Sequence, residues 1–256
     1  MKLGSKIAAG IFTLSLTIGT FAPSSFASTT EVKKDSEKIE LAQKEGQIQS
    51  IKENYTDPKV QKNLIEKVNV GEKLDNINPE KKALGKKEII NETTTLTTYP
   101  DGSKEETGID FSQAKFFDEK GNEVQPIKAE QLKGITTGPQ GSITGGSWQR
   151  GSGYACVQGA KVFRNAYSAF SVYYYADYCH HQGAYDKLDR VYGWDIKAPG
   201  GGYSKEDWGV FRQWQKPGYE AYGGISFKYT DSRGGDTHQW LYIRVAGGSA
   251  WEDSNI

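Results

Sequence analysis

Side chains alternate between apolar and polar along several stretches near the C-terminus. Phe170, Val172, Tyr174, Ala176 and Tyr178 fall on one side of an extended chain, and Ser171, Tyr173, Tyr175, Asp177 and Cys179 fall on the other. A period of two predicts a strand with one face buried. Ile225, Phe227 and Tyr229 alternate in the same way with Ser226, Lys228 and Thr230, and Leu241, Ile243 and Val245 with Trp240, Tyr242 and Arg244. Residues 157–164, 188–196 and 208–214 are further strand candidates, separated by Gly200-Gly-Gly202, Lys216-Pro-Gly218 and Arg233-Gly-Gly-Asp236. Many short strands with glycine turns predict an antiparallel β-sandwich.

The earlier half has a different pattern. Asp57 offers an N-cap, Pro58 suits the first helical position, and Val60, Leu64 and Val68 recur every four residues until Gly71, which predicts a short amphipathic helix. Residues 31–54 carry many charges and few apolar positions, too little apolar surface to offset chain ordering, and read as disordered or marginally helical. A threonine-rich run over residues 89–99 leads into Pro100-Asp101-Gly102, and Phe116-Phe117 leads into Gly121-Asn122; both read as hairpins. The fold expected is mainly β, a C-terminal antiparallel sandwich preceded by a flexible, partly helical N-terminal region with a hairpin segment.

Composition separates these parts. Residues 28–140 hold 18 Lys/Arg, 21 Asp/Glu and no tryptophan, whereas residues 141–256 hold all six tryptophans and 23 aromatics in total. The expected divisions are a charged region over 28–87, a hairpin segment over 88–133, a glycine-rich linker over 134–146 and an aromatic-rich sandwich over 147–256. Ahead of them, residues 1–27 read as a secretory signal: Lys2 and Lys6, an uncharged apolar run, then Ser25-Phe26-Ala27. No later stretch is apolar enough to span a membrane, so the mature chain is expected to be extracellular. In an exported chain, Cys156 and Cys179, separated by about one hairpin, are expected to form a disulfide. A net charge of zero provides no electrostatic term for holding nucleic acid.

No catalytic motif stands out, and no cofactor or metal ligand set is expected. His180 and His181 are adjacent and would face opposite ways in a strand, while Asp236 with His238 supplies two weak ligands. Asp186 with Asp189, or Glu206 with Asp207, are carboxylate pairs whose spacing sets no glycosidase separation. The rings are the more informative feature, being too numerous for a small interior. The candidate ligand-binding residues are Tyr173, Tyr175, Trp208, Trp214, Trp240, Tyr242 and Arg244. Flat amphipathic rings suit the apolar faces of sugars, so the first expectation is a secreted non-catalytic protein that recognises a cell-wall polymer or another polysaccharide. An extracellular hydrolase would draw on His180 or His238 with Asp177, Asp186 or Asp236. Nothing in the sequence sets the oligomeric state.

Three local resemblances add location. Leu64-Ile-Glu-Lys67, Gly71-Glu72, Leu74-Asp75, Pro79 and Tyr99-Pro-Asp-Gly-Ser103 resemble an N-terminal region of secreted Gram-positive proteins. Residues 183–192 and the run Trp240-Leu-Tyr-Ile-Arg-Val245 resemble an uncharacterised secreted domain of Bacillus-type bacteria. Gly145-Gly-Ser-Trp148-Gln-Arg-Gly151 resembles the opening of the lactococcin-type bacteriocins, small secreted β-sandwich peptides, and implies an antibacterial activity as the alternative to glycan binding.

Overall fold

The structure is a computed structural model that describes residues 28–118, 120–124, 154–181 and 183–255. The expected secretory signal, glycine-rich linker and bacteriocin-like motif all lie outside the described residues. Among the described residues two helices, α1 (Ser28–Asn54) and α2 (Pro58–Asn69), precede two short 3₁₀ turns and twelve strands. The strands are β1 (Lys86–Asn91), β2 (Thr94–Thr98), β3 (Lys104–Asp110), β4 (Lys115–Phe117), β5 (Glu123–Val124) and β6 (Tyr154–Ala166), then β7 (Phe170–His181), β8 (Lys187–Lys197), β9 (Gly201–Arg212), β10 (Ala221–Asp231), β11 (Asp236–Ala246) and β12 (Ser249–Ser254). By contacts the chain divides into two units, Met1–Glu37 and Lys38–Ile256, and the second holds α2 and all of these strands.

The fold is mainly β, built from two antiparallel sheets. Sheet A has eight strands. In it β3 and β4 lie one after the other along one edge of β6, while β7 and then β8 extend the other edge. Sheet B has four, in the order β12-β11-β10-β9. The alternation read from sequence decides which face is buried: Phe170, Val172, Tyr174, Ala176 and Tyr178 point into the sandwich, as do Ile225, Phe227, Tyr229, Leu241, Ile243 and Val245. Across the interface the Phe170 ring meets Phe227 edge-on at 5.4 Å and Tyr229 at 5.3 Å. The disulfide is present, Cys156 to Cys179, at directly opposed positions of β6 and β7.

Residues 31–54, read as disordered or marginally helical, belong to the helix α1, whose last turns hold buried side chains: Ile51 is fully buried, while Ile39 and Leu41 remain exposed. Helix α2 starts as its sequence predicts, Asp57 accepting a hydrogen bond from the Lys59 N–H at 2.8 Å. The helices, the 3₁₀ turns and the residues that join them contribute Ile51, Tyr55, Leu64, Val68, Leu74 and Ile77 to the core. They close one end of the sandwich. There the Tyr55 ring sits 6.3 Å from Tyr167, and its hydroxyl accepts from the Lys104 N–H. A Cβ at Gly46 would stand 2.6 Å from the Pro199 carbonyl oxygen, so α1 packs against the β8–β9 turn at a distance only glycine permits.

The hairpins form at Pro100-Asp101-Gly102 and at Gly121-Asn122, and an additional reversal between β1 and β2 divides the threonine-rich run. The strands β1 to β5, which fall in or next to the expected hairpin segment, belong to the same sheet as β6 to β8: β3 pairs with β6 from Glu106↔Asn165 to Asp110↔Lys161.

One feature of the interior is polar. Arg164 and Glu105, both essentially inaccessible, form an ion pair between the sheets; Lys82 and Tyr99 also bond to Glu105, and Gln239 and Asn255 accept from Arg164. Burial would raise the Glu105 pKa, but the charges of Arg164 and Lys82 outweigh it and hold the carboxyl below its usual range. Lys82 is pushed down to about 8, first by burial and then by the charge of Arg164.

Candidate functional site

The outer face of sheet B carries the densest group of accessible rings. Tyr222 of β10 and Trp240 and Tyr242 of β11 occupy outward positions of adjoining strands, and Phe211 of β9 joins them. Trp240 and Tyr242 are stacked, their centroids 5.1 Å apart and their planes 13° from parallel. Tyr242 meets Tyr222 at 5.9 Å and Phe211 at 5.5 Å. These rings are partly exposed, each resting in part on its neighbours.

Glycine lets the strands under the floor approach closely. Gly224 lies opposite Tyr242 in the register, with φ +152, and a Cβ there would collide with the Leu241 carbonyl oxygen and stand 2.8 Å from Tyr242 Cα and 2.9 Å from Tyr242 Cδ1. Only glycine fits against that backbone, and the tyrosine ring edge rests beside it.

Charged groups rim the floor. Tyr222 lies between two guanidinium groups, Arg212 at 5.0 Å and Arg244 at 5.4 Å from its centroid. Arg244 is neutralised by Asp253 and, at 3.5 Å, by Glu220; Arg212 donates to the Glu220 carbonyl oxygen at 2.9 Å. The Tyr242 hydroxyl is held above its usual pKa by burial, reinforced by Tyr222 and Asp207, so it remains a neutral donor and acceptor. A shallow aromatic surface whose rim holds one paired guanidinium, Arg244, and one bonded to a carbonyl oxygen, Arg212, can stack on a flat amphipathic ligand and hydrogen-bond its hydroxyls.

Of the seven residues predicted to bind ligand, Trp240, Tyr242 and Arg244 converge here. The others are elsewhere. Tyr173 and Tyr175 lie on the outer face of sheet A. Trp208 points from β9 toward the seam between the sheets, 6.3 Å from Trp194, with Lys205 over both indoles. Trp214 lies beyond β9, against His181 at 5.7 Å and Lys187 at 5.2 Å. The seven therefore do not form one site.

Phe211 and Tyr222 are floor residues that the sequence reading did not single out. Phe211 is the extra residue at a register shift, where Arg212 pairs with Tyr222 and Val210 with Gly223. Such a bulge breaks the alternation on which the reading depended.

The histidines have separate partners. His238 pairs with Glu206, and Asp236 with Lys228, so these two side chains do not act together. His180 and Asp186 do meet, Nδ1 to Oδ2 at 3.0 Å, with both side chains buried. Asp186 also accepts from the His181 N–H at 3.0 Å and the Gly248 N–H at 2.8 Å. Burial would raise its pKa, but the hydrogen bond and charge of His180 and those two amides hold it low. Gln215 bonds to the Asp186 N–H, so this residue ties the turns after β7, β9 and β11. The neighbouring Cys179 is committed to the disulfide. Among the described residues no group of three or more His, Cys, Asp or Glu gathers as metal ligands would.

No family model matches the chain, and no curated protein matches it. Among solved structures it is similar to a hypothetical protein of Listeria monocytogenes EGD-e, at 13% identity, over 56% of this chain and 92% of that one, with a TM-score of 0.29.

Proposed function

We propose that the protein is a secreted, non-catalytic glycan-binding protein of Gram-positive, Bacillus-type origin, and that it holds a cell-wall or other extracellular polysaccharide on the outer face of sheet B. The observation that carries this reading is the gathering of Phe211, Tyr222, Trp240 and Tyr242 into one partly exposed cluster on the outer face of sheet B. Sugar rings have apolar faces and hydroxyl edges. The stacked indole and phenol supply area for the former, and Arg212, Asp253 and the tyrosine hydroxyls supply partners for the latter. The disulfide suits an oxidising compartment, and no described helix is long and apolar enough to cross a membrane.

The test is retention of the full chain on purified Gram-positive wall sacculi, β-glucan, xylan, mannan and starch. At least one should retain it, and the Trp240→Ala/Tyr242→Ala variant should bind at least about tenfold more weakly, which is about 1.4 kcal/mol, with an unchanged unfolding midpoint. Absence of retention on every matrix, or full retention of the variant, would overturn the reading.

A further inference from the structure

We infer that the outer face of sheet A is a second platform for uncharged sugar chains, which makes the protein bivalent: it cross-links two chains. This rests on the glycan reading above.

On that face, Tyr173 and Tyr175 project outward from β7 with centroids 5.9 Å apart, and Tyr175 stacks on Tyr192 of β8 at 5.8 Å and 29°. The row spans two strands. It is built from partly exposed tyrosines, whereas the tyrosines at alternate positions of β7, Tyr174 and Tyr178, are buried. One strand therefore uses the same residue type for the core and for the surface. An exposed cluster of this kind represents apolar area that folding left in contact with water.

The rim repeats the design of sheet B. Lys161 stands 4.5 Å from the Tyr173 centroid and Arg190 stands 4.7 Å from that of Tyr192. Arg190 is paired with Asp177, and Asp177 also accepts from the Tyr192 hydroxyl at 3.1 Å and the Gly159 N–H at 2.8 Å. On sheet B, Arg244 is likewise satisfied by Asp253 and Glu220. Guanidinium groups already matched by carboxylates gain little from a polyanion, and the chain as a whole has zero net charge. Each face thus has one guanidinium matched by carboxylate, Arg190 and Arg244, beside one cation without a carboxylate partner among the described residues, Lys161 and Arg212; with hydroxyl-bearing rings between and no net charge overall, the surfaces favour a neutral polyhydroxylated chain.

Geometry sets the valency. Packed sheets lie about 10 Å apart and turn their outer faces in opposite directions. A sugar chain lying flat on one face cannot reach the rings of the other, so the two platforms engage separate chains. Joining two weak sites on one rigid body raises apparent affinity for a polymer network by about 100-fold or more without any new contact.

The experiment compares retention with cross-linking. Wild type, Tyr173→Ala/Tyr175→Ala, Trp240→Ala/Tyr242→Ala and the quadruple variant are mixed with a suspension of wall sacculi and with soluble β-glucan, xylan and mannan. Retention and turbidity are read over a range of protein-to-polymer ratios, in low and high salt. Near-UV circular dichroism confirms folding. The wild type should raise turbidity through a maximum at an intermediate ratio, independently of salt. Each double variant should lose that maximum and bind about 100-fold more weakly to the network, while remaining measurably retained; the quadruple variant should not be retained.

If the wild type is retained but never cross-links, or if Tyr173→Ala/Tyr175→Ala cross-links like wild type, bivalency is wrong while the sheet B platform stands. If no matrix retains the wild type, or the quadruple variant is retained in full, the glycan reading itself is wrong. Turbidity that collapses at high salt would replace the neutral ligand with an anionic one and overturn the assignment of class.

Discussion

Glu105 and Arg164 occupy the interior, where two aliphatic side chains would pack without any desolvation cost. Their attraction and four further polar partners offset that cost, and they leave a strong local field. Glu252 of β12 feels it. Its carboxyl is raised above the usual range chiefly by burial, and hydrogen bonds from Ser254 and Thr107 and the charge of Arg164 only partly oppose this. A carboxyl whose folded pKa exceeds its unfolded value stabilises the fold below the unfolded pKa, and that contribution is lost as pH rises through the folded value. At neutral pH, above its unfolded pKa, Glu252 therefore costs stability. Glu252→Gln should melt higher than wild type at about pH 7, and the difference should vanish toward about pH 4, as read by calorimetry. A variant that is less stable at neutral pH would disprove this. Glu105, whose pKa is lowered, has the opposite sign: its contribution is present above its unfolded pKa and is lost on acidification.

Among the elements, the β6–β7 hairpin organises sheet A, since β3 and β4 line one edge and β8 the other. The Cys156–Cys179 bridge, 23 residues apart in sequence, clamps its open end. Closing a loop of that length is worth about 3 kcal/mol in the chain-entropy account. Reduction should move the guanidinium unfolding midpoint down by that free energy, with no free thiol in the denatured protein before reduction and two after. An unshifted midpoint would show that the bridge does not stabilise the hairpin.

The strands of this region were legible because alternation is local: β7, β10 and β11 bury the side chains their sequences point inward. Helix α2 was legible from Asp57 and Pro58. Arg164 was not, because a lone arginine at an inward strand position gains its meaning from Glu105, 59 residues away. For residues 31–54 the sequence left disorder and marginal helix open, because the burial of Ile51 depends on residues distant in the chain. In the candidate site, Trp240, Tyr242 and Arg244 were legible from alternation on β11. Trp208 and Trp214 are exposed, as their sequence surroundings suggested, but they lie apart from that site, Trp208 beside Trp194 and Trp214 beyond the end of β9, and no local pattern shows which rings gather.

At the scale of the whole molecule, the two ends of the sandwich are closed by different means. The helices seal one with aliphatic and aromatic side chains, beside which Lys67 holds the buried carboxylates Asp75 and Asp101. Toward the other, a single buried carboxylate, Asp186, gathers amides from separate turns. Apolar contact yields gradually, since each side chain contributes its own area. A shared acceptor does not: when it leaves, every donor it served is stranded together. Deuterium uptake measured under native conditions should therefore find the His181 and Gly248 amides exchanging as one cooperative unit, at a common opening free energy below that of the Phe227 and Ile243 amides in the core. Independent rates at those two positions would mean the turns breathe separately. If they open as one, the protein carries beside its rings a small latch with one moving part, and His180 is the side chain that holds it shut.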